Sequence, residues 1–176
     1  LNKCKKIGGT IMQKYCQECG ELLINKELEN EGMVLYCPKC QQYRFPLYNV
    51  AVSMIVLDPN KKQILLIKQY GREDYILVAG YVNRTESLEE AVIREVKEEI
   101  GLDVAKIKFN RTRFYERSNT LMCNFTALVD SENKVCTNQE VDFYHWFSYE
   151  ESKKNIKENS LAAYFLNTYL DEMGDN

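Results

Sequence analysis

Three glutamates near the middle of the chain have the residue type and spacing for metal-ion chemistry. Glu95, Glu98 and Glu99 stand at i, i+3 and i+4, so in a helix we expect them to project to one side. Such neighbours repel one another, and the repulsion grows as they are shielded from water. A divalent cation removes that penalty, and oxygen ligands at this density favour Mg²⁺ or Mn²⁺. The alternative interpretation is a solvated acidic helix face.

The residues around these glutamates favour the cation site. Arg94 lies one turn before Glu98, so its guanidinium can fix a carboxylate by a charge-assisted bond. A solvated acidic face does not explain why Gly80 and Glu86 stand upstream and Gly101 follows.

Two Cys-x-x-Cys pairs near the start of the chain predict a second metal site. Cys16 and Cys19 form the first pair, Cys37 and Cys40 the second. Two turns that each present two thiolates suit a tetrahedral zinc ion. The segment between them reads as two short strands with a turn at 30–32, which is a zinc ribbon. Two disulfides are the alternative, but nothing indicates secretion, and we expect reduced thiols in a cytoplasmic protein. Cys4, Cys123 and Cys136 are left over; Cys123 lies in an apolar run, where a buried small hydrophobe is expected.

The acids need a scaffold to position them, and hydrophobic patterning predicts one. Leu88, Ala91, Val92, Val96 and Ile100 fall on one face of a helix over 87–100, capped by Ser87 or Thr85 and ended by Gly101. A second helix is predicted over 160–170. Strands are predicted over 50–57, 63–68, 75–79, 106–115, 120–129 and 141–147. Strands on both sides of a central helix indicate an α/β fold with a mixed sheet between helices.

Length and composition limit the classes of function. The chain has 176 residues, 45% of them hydrophobic and 28% charged, and a net charge of −3. This suits one ordinary domain plus a small appendage, with no membrane span. A negative chain has no electrostatic reason to bind bare nucleic acid, and it repels a phosphate substrate unless metal ions intervene.

We expect three segments along the chain. Residues 1–11 are basic but have no apolar segment or cleavage site, so we do not expect them to be a signal peptide. Ile7-Gly8-Gly9 ahead of Met12 is what a translated bacterial ribosome-binding site would encode, so we expect 1–11 to be a non-native or disordered leader. The ribbon is predicted over 12–46 and the larger domain over 47–176.

The acidic residues and their flanking glycines resemble a known signature. Gly80, Glu86, Arg94-Glu95-Val96, Glu98-Glu99 and Gly101-Leu102 are similar to the unbroken box of the Nudix hydrolases. The resemblance implies an α/β/α sandwich in which the box forms a loop–helix–loop. The implied chemistry is hydrolysis of a nucleoside diphosphate linked to another group.

The resemblance also implies roles for individual residues. The Gly80 carbonyl and the three glutamates would bind Mg²⁺ or Mn²⁺, and Glu95 would orient or deprotonate water. Arg94 would hold a catalytic carboxylate, so the catalytic set is Glu95, Arg94 and Glu98. The residues predicted to contact substrate are Glu86, Tyr81 and Tyr115.

A ribbon of four cysteines before a Nudix domain is similar to the NADH pyrophosphatase subfamily. That resemblance implies a further metal-binding acid at Glu140, six residues before Trp146, and a homodimer. The subfamily's proline-rich nucleotide loop should fall at 112–118, which here reads TRFYERS and keeps only the aromatic Tyr115. The resemblance therefore indicates the chemistry more firmly than a preference for NADH.

Two functions of different classes follow. The first is metal-dependent hydrolysis of a pyrophosphate linkage in a small molecule of the NADH, NAD⁺ or ADP-ribose class. The alternative is a nucleotide-sensing or nucleic-acid-binding regulator that uses the ribbon and a Nudix ligand pocket. The complete acid set favours the enzyme, and the few basic residues of the ribbon (Lys26, Lys39 and Arg44) make nucleic-acid binding unlikely. His145 is the only histidine, and no nucleophile motif accompanies it.

Overall fold

The computed structural model describes residues 13–132 and 134–174. The expected leader, residues 1–11, lies outside this range. The chain divides into two compact units, and the division falls between Tyr48 and Asn49. No helix in the described part of the chain has the length and apolar character needed to cross a membrane.

The first unit is a three-stranded antiparallel sheet. Its strands are β1 (Ile24–Leu28), β2 (Gly32–Cys37) and β3 (Gln42–Arg44), in that order. The turn between β1 and β2 contains Asn30 and Gly32, both with positive φ. The sequence predicted only two strands, because three residues are too few for β3 to show an alternating pattern. The core of this unit is small and consists of Cys16, Leu23 and Cys37.

The second unit is built on a mixed six-stranded sheet. Five strands are ordered β7-β8-β4-β5-β9, and β6 pairs with β4. β4 and β8 are parallel, and the other pairs are antiparallel. The strands are β4 (Asn49–Leu57), β5 (Gln63–Gln69), β6 (Val78–Tyr81), β7 (Val104–Tyr115), β8 (Thr120–Val129) and β9 (Val141–Ser148).

Helices cover both faces of this sheet. Alternate side chains of β4 point to opposite faces, so Val52 and Met54 pack with α1 (Leu88–Ile100), whereas Ile55 and Leu57 pack with α3 (Leu161–Gly174). The α/β sandwich with a mixed sheet is therefore confirmed. A short helix, α2 (Tyr149–Asn155), was not predicted, since seven residues are too few to show helical periodicity.

One strand lies later in the chain than its sequence pattern predicts. The apolar run over 75–79 indicated a strand, but the ladder to β4 begins with the pair Met54–Val78 and ends with Ala51–Tyr81. Tyr75 and Ile76 form only isolated bridges. The shift matters for the site because it places Gly80 inside a strand rather than after one.

Candidate active site

Helix α1 carries the acidic residues, and both of its ends are fixed by local hydrogen bonds. Ser87 caps the first turn, accepting from the Glu90 backbone N–H while the Glu90 carboxylate accepts from the Ser87 N–H. Gly101 ends the helix in the left-handed conformation, and its N–H donates to the Lys97 carbonyl. The expected Ser87 cap and Gly101 stop are thus confirmed.

The three glutamates of α1 do not share one environment. Glu95 and Glu99 lie on the buried side of the helix, with 9% and 3% exposure, whereas the Glu98 side chain is 55% exposed. The helical twist places i and i+4 one above the other and turns i+3 toward the rim. All three still line the same cleft.

Gly80 leaves room for the Glu95 carboxyl group. A Cβ atom at residue 80 would lie 2.0 Å from both Cδ and Oε1 of Glu95. Gly80 also pairs with Val52 across β6 and β4, so its backbone is held by the sheet. No residue other than glycine fits without displacing the carboxylate.

The Arg94 guanidinium joins three carboxylates. It binds Glu86 through two bonds, Nη2–Oε1 of 2.7 Å and Nε–Oε2 of 3.0 Å. Its Nη1 donates to Glu95 Oε1 at 2.7 Å and to Glu98 Oε2 at 2.9 Å, and Nη2 also donates to the Tyr81 carbonyl at 3.0 Å. The spacing of these residues in the sequence predicted only the contact with Glu98. The fork of donors therefore positions the acids of the helix and the loop before it.

The acids of the cleft and of the loop before α1 differ in their pKa values. The bond from Arg94, with the Asn83 backbone N–H, lowers the pKa of Glu86 to about 2. Burial raises the pKa of Glu95 in spite of the contact with Arg94. Burial, with the nearby charge of Glu95, raises the pKa of Glu99 to about 8 against the opposing bond from Gln69. At Glu95 the desolvation caused by burial therefore outweighs the stabilising charge of Arg94.

A cleft of about 530 Å³ opens over these groups. Tyr81 lines it, but neither Glu86 nor Tyr115, the other two residues predicted to contact substrate, is part of its lining. Both carboxylate oxygens of Glu86 instead accept hydrogen bonds from Arg94. The lining consists of Ala51, Gln69, Tyr70, Ala79, Gly80, Tyr81, Asn83, Arg94, Glu95, Glu98, Glu99, Ser118, Thr120, Met122, Asn138 and Glu140.

Three polar residues of this lining, none of them among the predicted site residues, contact Glu99 or Glu140. Gln69 donates to Glu99 Oε1 at 3.0 Å, and the Tyr70 hydroxyl donates to Glu140 Oε2 at 2.7 Å. Asn138 accepts from the Glu140 backbone N–H, and its own N–H donates to the Glu99 carbonyl. Apart from the bond between Asn138 and Glu140, which are two positions apart, these contacts join residues 30 to 70 positions apart in the chain. No local spacing indicates the long-range contacts. The only signal was a polar Gln69 ending an apolar strand.

The donors in the cleft fit a hard divalent cation. Glu99 Oε2 is buried and has no hydrogen-bond partner, which is unfavourable for a carboxylate unless a cation or a proton is present. Glu95, Glu98, Glu99 and Glu140 line this one cleft, and carboxylate oxygens are the ligands that Mg²⁺ and Mn²⁺ prefer. The residues present thus suit the ions that the resemblance implied.

The four cysteines of the first unit also come together. Their sulfur atoms all lie within 4.8 Å of one another, with Cys16–Cys40 at 3.9 Å and Cys19–Cys37 at 3.5 Å. Tetrahedral zinc with bonds of about 2.3 Å places its sulfurs about 3.8 Å apart, so the cluster fits that ion. Within residues 13–132 and 134–174, no other group of three or more His, Cys, Asp or Glu brings its ligand atoms so close.

Arg44 supports the cysteine cluster. This residue is buried, and its Nε donates to Cys16 Sγ at 3.3 Å while Nη2 pairs with Glu18 at 2.7 Å. The bond from Arg44 lowers the pKa of Cys16 to about 6, which favours the thiolate form that zinc binds. Cys123, by contrast, is buried in the sheet of the second unit, where it packs as a small hydrophobe.

A family profile and the curated relatives of this chain agree on one family. The profile described as NUDIX domain matches residues 47–168. Among curated relatives, the NAD-capped RNA hydrolase NudC of Pseudomonas aeruginosa is 28% identical over 159 residues, covering 89% of this chain and 55% of that protein. NudC of Stutzerimonas stutzeri is 28% identical over 173 residues, covering 97% and 61%. The chain thus spans little more than half the length of these relatives.

Solved structures share the fold. A NUDIX hydrolase from Nitrosomonas europaea superposes with a TM-score of 0.64 at 21% identity, covering 93% of this chain and 94% of that chain. The NUDIX domain of Shewanella oneidensis NrtR, solved in complex with ADP ribose, gives a TM-score of 0.61 at 17% identity, covering 78% and 94%. At these identities the likeness concerns the fold.

Proposed function

The chain belongs to the Nudix family, and from that membership we propose that it is a metal-dependent pyrophosphohydrolase. Its substrate would be a nucleoside diphosphate derivative of the NAD or ADP-ribose class, split at the P–O–P linkage by water. The observation that carries this proposal is the convergence of Glu95, Glu98, Glu99 and Glu140 in one cleft, with Arg94 among them.

The metal site would use oxygen donors from three segments. Glu95, Glu98 and Glu99 come from α1, Glu140 from the loop before β9, and the Gly80 carbonyl from β6. When bound, Mg²⁺ or Mn²⁺ lowers the pKa of a water molecule and neutralises charge on the pyrophosphate. This charge also offsets the repulsion that an acidic cleft exerts on an anionic substrate.

The protein residues hold and orient the reacting groups. Arg94 fixes one oxygen of Glu95 and leaves the other free to accept a proton from the attacking water or to orient that water toward phosphorus. Gly80 keeps the Glu95 carboxyl group against the strand. The ion pair with Glu86 fixes the guanidinium itself, so Arg94 and Glu86 act through Glu95 and Glu98.

Two features support the substrate class. The curated relatives are named for hydrolysis of an NAD cap, and NAD contains the pyrophosphate linkage that this chemistry requires. The cleft has the volume of an ordinary small-molecule site, and an exposed Tyr81 at its edge offers a face for base stacking. We assign the cysteine cluster, within a ribbon domain over 12–46, a structural zinc ion.

A substrate screen tests the proposal. NADH, NAD⁺, ADP-ribose, dinucleoside polyphosphates and nucleoside triphosphates would each be incubated with protein and Mg²⁺ or Mn²⁺, and released mononucleotide or phosphate measured. We expect two mononucleotide products from NADH or NAD⁺, or AMP and ribose phosphate from ADP-ribose. Tight binding of a nucleotide without turnover would instead support the nucleotide-sensing regulator.

A further inference from the structure

The end of β5 places two consecutive residues against two different acids of the cleft. Gln69 Nε2 donates to Oε1 of Glu99 at 3.0 Å, and the next residue, Tyr70, donates its hydroxyl to Oε2 of Glu140 at 2.7 Å. Glu99 belongs to α1, whereas Glu140 belongs to the loop before β9. One dipeptide therefore connects both sides of the acid cluster.

An irregularity in the sheet makes this double contact geometrically possible. In a regular strand, neighbouring side chains point to opposite faces. The register of β5 against β9 shifts between Lys68 and Gln69, and Tyr70 adopts φ of +56°. These two departures allow the side chains of Gln69 and Tyr70 to reach the same cleft.

The Tyr70 backbone conformation is unusual for its residue type. Left-handed φ is unfavourable for a bulky side chain, and Tyr70 is the only aromatic residue in the described part of the chain that adopts it. Tyr70 is 63% exposed, so packing does not account for the conformation. Two contacts with Glu140 stabilise this conformation. The Tyr70 hydroxyl donates to the Glu140 carboxylate, and the Tyr70 backbone N–H donates to the Glu140 carbonyl at 3.4 Å. Unfavourable backbone retained in a cleft is typical of a functional constraint.

The two contacts leave each acid with one oxygen for a cation. Glu99 keeps Oε2, which is buried and without a partner, and Glu140 keeps Oε1. Groups that bind one oxygen of a ligating carboxylate fix which oxygen faces the metal and commonly alter metal affinity strongly. The Asn138 side chain accepts a hydrogen bond from the Glu140 backbone N–H and so fixes the Glu140 backbone. The Tyr70 hydroxyl therefore orients only the Glu140 side chain.

We propose that Gln69 and Tyr70 are positioning residues that orient Glu99 and Glu140 as single-oxygen ligands for the catalytic cation. This inference rests on the proposed function, since it concerns the same metal site. It assigns to the irregular end of β5 a role that the Nudix box does not contain.

The test measures Mn²⁺ affinity of the zinc-loaded chain, with free Mn²⁺ read by electron paramagnetic resonance and no substrate present. Tyr70→Phe removes only the hydroxyl, and we expect an increase of about tenfold in the dissociation constant. Tyr144→Phe is the matched control, because Tyr144 lies on β9 and does not line the cleft; it should stay within about twofold of wild type.

A second variant distinguishes an effect on the orientation of Glu140 from an effect on folding. Tyr70→Asn removes the hydroxyl but tolerates the left-handed conformation, so the thermal midpoint should stay or rise while Mn²⁺ affinity falls. Equal Mn²⁺ affinity in wild type and both Tyr70 variants would overturn the inference and leave the proposed function standing. Absence of Mn²⁺ binding by the wild type would overturn both.

Discussion

Arg94 and Glu86 form a two-pronged ion pair eight residues apart, with N–O distances of 2.7 and 3.0 Å. Glu86 lies before the helix and Arg94 within it, so the pair ties the loop to α1. With two donors engaged by Glu86, the remaining Nη1 can reach both Glu95 and Glu98. The pair therefore determines where the two helix carboxylates lie.

Replacing Arg94 with lysine should disable the site and preserve the fold. An ammonium group cannot form the planar fork, so at least one of the three carboxylates loses its partner. We expect kcat to fall by about 100-fold, with little change in KM, because the acids rather than the substrate are displaced. Steady-state kinetics at saturating Mg²⁺ measures this.

Arg84→Lys is the control for this change. Arg84 is exposed in the same loop and does not line the cleft, so its activity should match wild type. Equal kcat values for the two lysine variants would show that the guanidinium fork has no role in turnover.

A methyl group at residue 80 should displace the Glu95 carboxyl group. Because the Cβ of Gly80→Ala would lie 2.0 Å from the Glu95 carboxyl carbon, the carboxylate must move. A displacement of about 1 Å at a reacting group lowers turnover by about 100-fold. Gly174→Ala, where the added atom meets nothing within 4 Å, should leave turnover unchanged. A fully active Gly80→Ala variant would argue against the position assigned to Glu95.

Buried Glu99 makes the metal-free protein sensitive to pH. Its pKa is raised from 4.5 to about 8 in the folded chain, so between these values the folded state binds more protons than the unfolded state. Stability should therefore fall as pH rises through this window. Glu99→Gln removes the titration, and we expect it to stabilise the metal-free protein at pH 8.5 by on the order of 2 kcal/mol.

Denaturant titrations at low and high pH in the presence of a chelator test this prediction. Glu98→Gln is the control, since an exposed carboxylate should change stability little. Near pH 4 the Glu99 variant and wild type should have similar free energies of unfolding. Wild-type stability that does not fall as pH rises to 8 would contradict the buried, unpartnered state of Glu99.

Cys37→Ser should release zinc and unfold the first unit. Cys37 is fully buried, and the core around it consists mainly of the cysteines themselves, so little else stabilises the ribbon. We expect less zinc per chain by atomic absorption and a lower thermal midpoint. Cys136→Ser, at an exposed cysteine outside the cluster, should change neither quantity. Finding no zinc in wild-type protein would refute the assignment.

Local signals in the sequence predicted the scaffold well. The apolar stripe of α1, the Ser87 cap and the Gly101 stop are properties of adjacent residues, and each is confirmed. Strand β6 was misplaced because partly buried Ile76 and buried Leu77 resemble strand residues, although the ladder to β4 begins only at Val78. A hydrophobic run predicts which residues are buried, whereas the start of a strand depends on where its backbone pairs with the partner strand.

The site was predictable only in its helical part. Glu95, Glu98 and Glu99 are within one turn, so spacing alone brought them together. Gln69 and Tyr70 lie some 30 and 70 residues from the acids they contact, and their approach depends on the shifted register of β5 and β9. Such contacts arise from tertiary structure, and a single sequence contains no pattern for them.

The central claim is that the Glu95, Glu98 and Glu99 cluster prepares water to split a P–O–P linkage. The most direct test is hydrolysis of NADH, NAD⁺ and ADP-ribose in ¹⁸O-enriched water with Mg²⁺, followed by mass spectrometry of the products, for wild type and Glu98→Gln. We predict that wild type releases monophosphates carrying one ¹⁸O per cleavage, and that Glu98→Gln does so slower by orders of magnitude while remaining folded. Equal rates in the two proteins, or no cleavage of any of these anhydrides by wild type, would contradict the account.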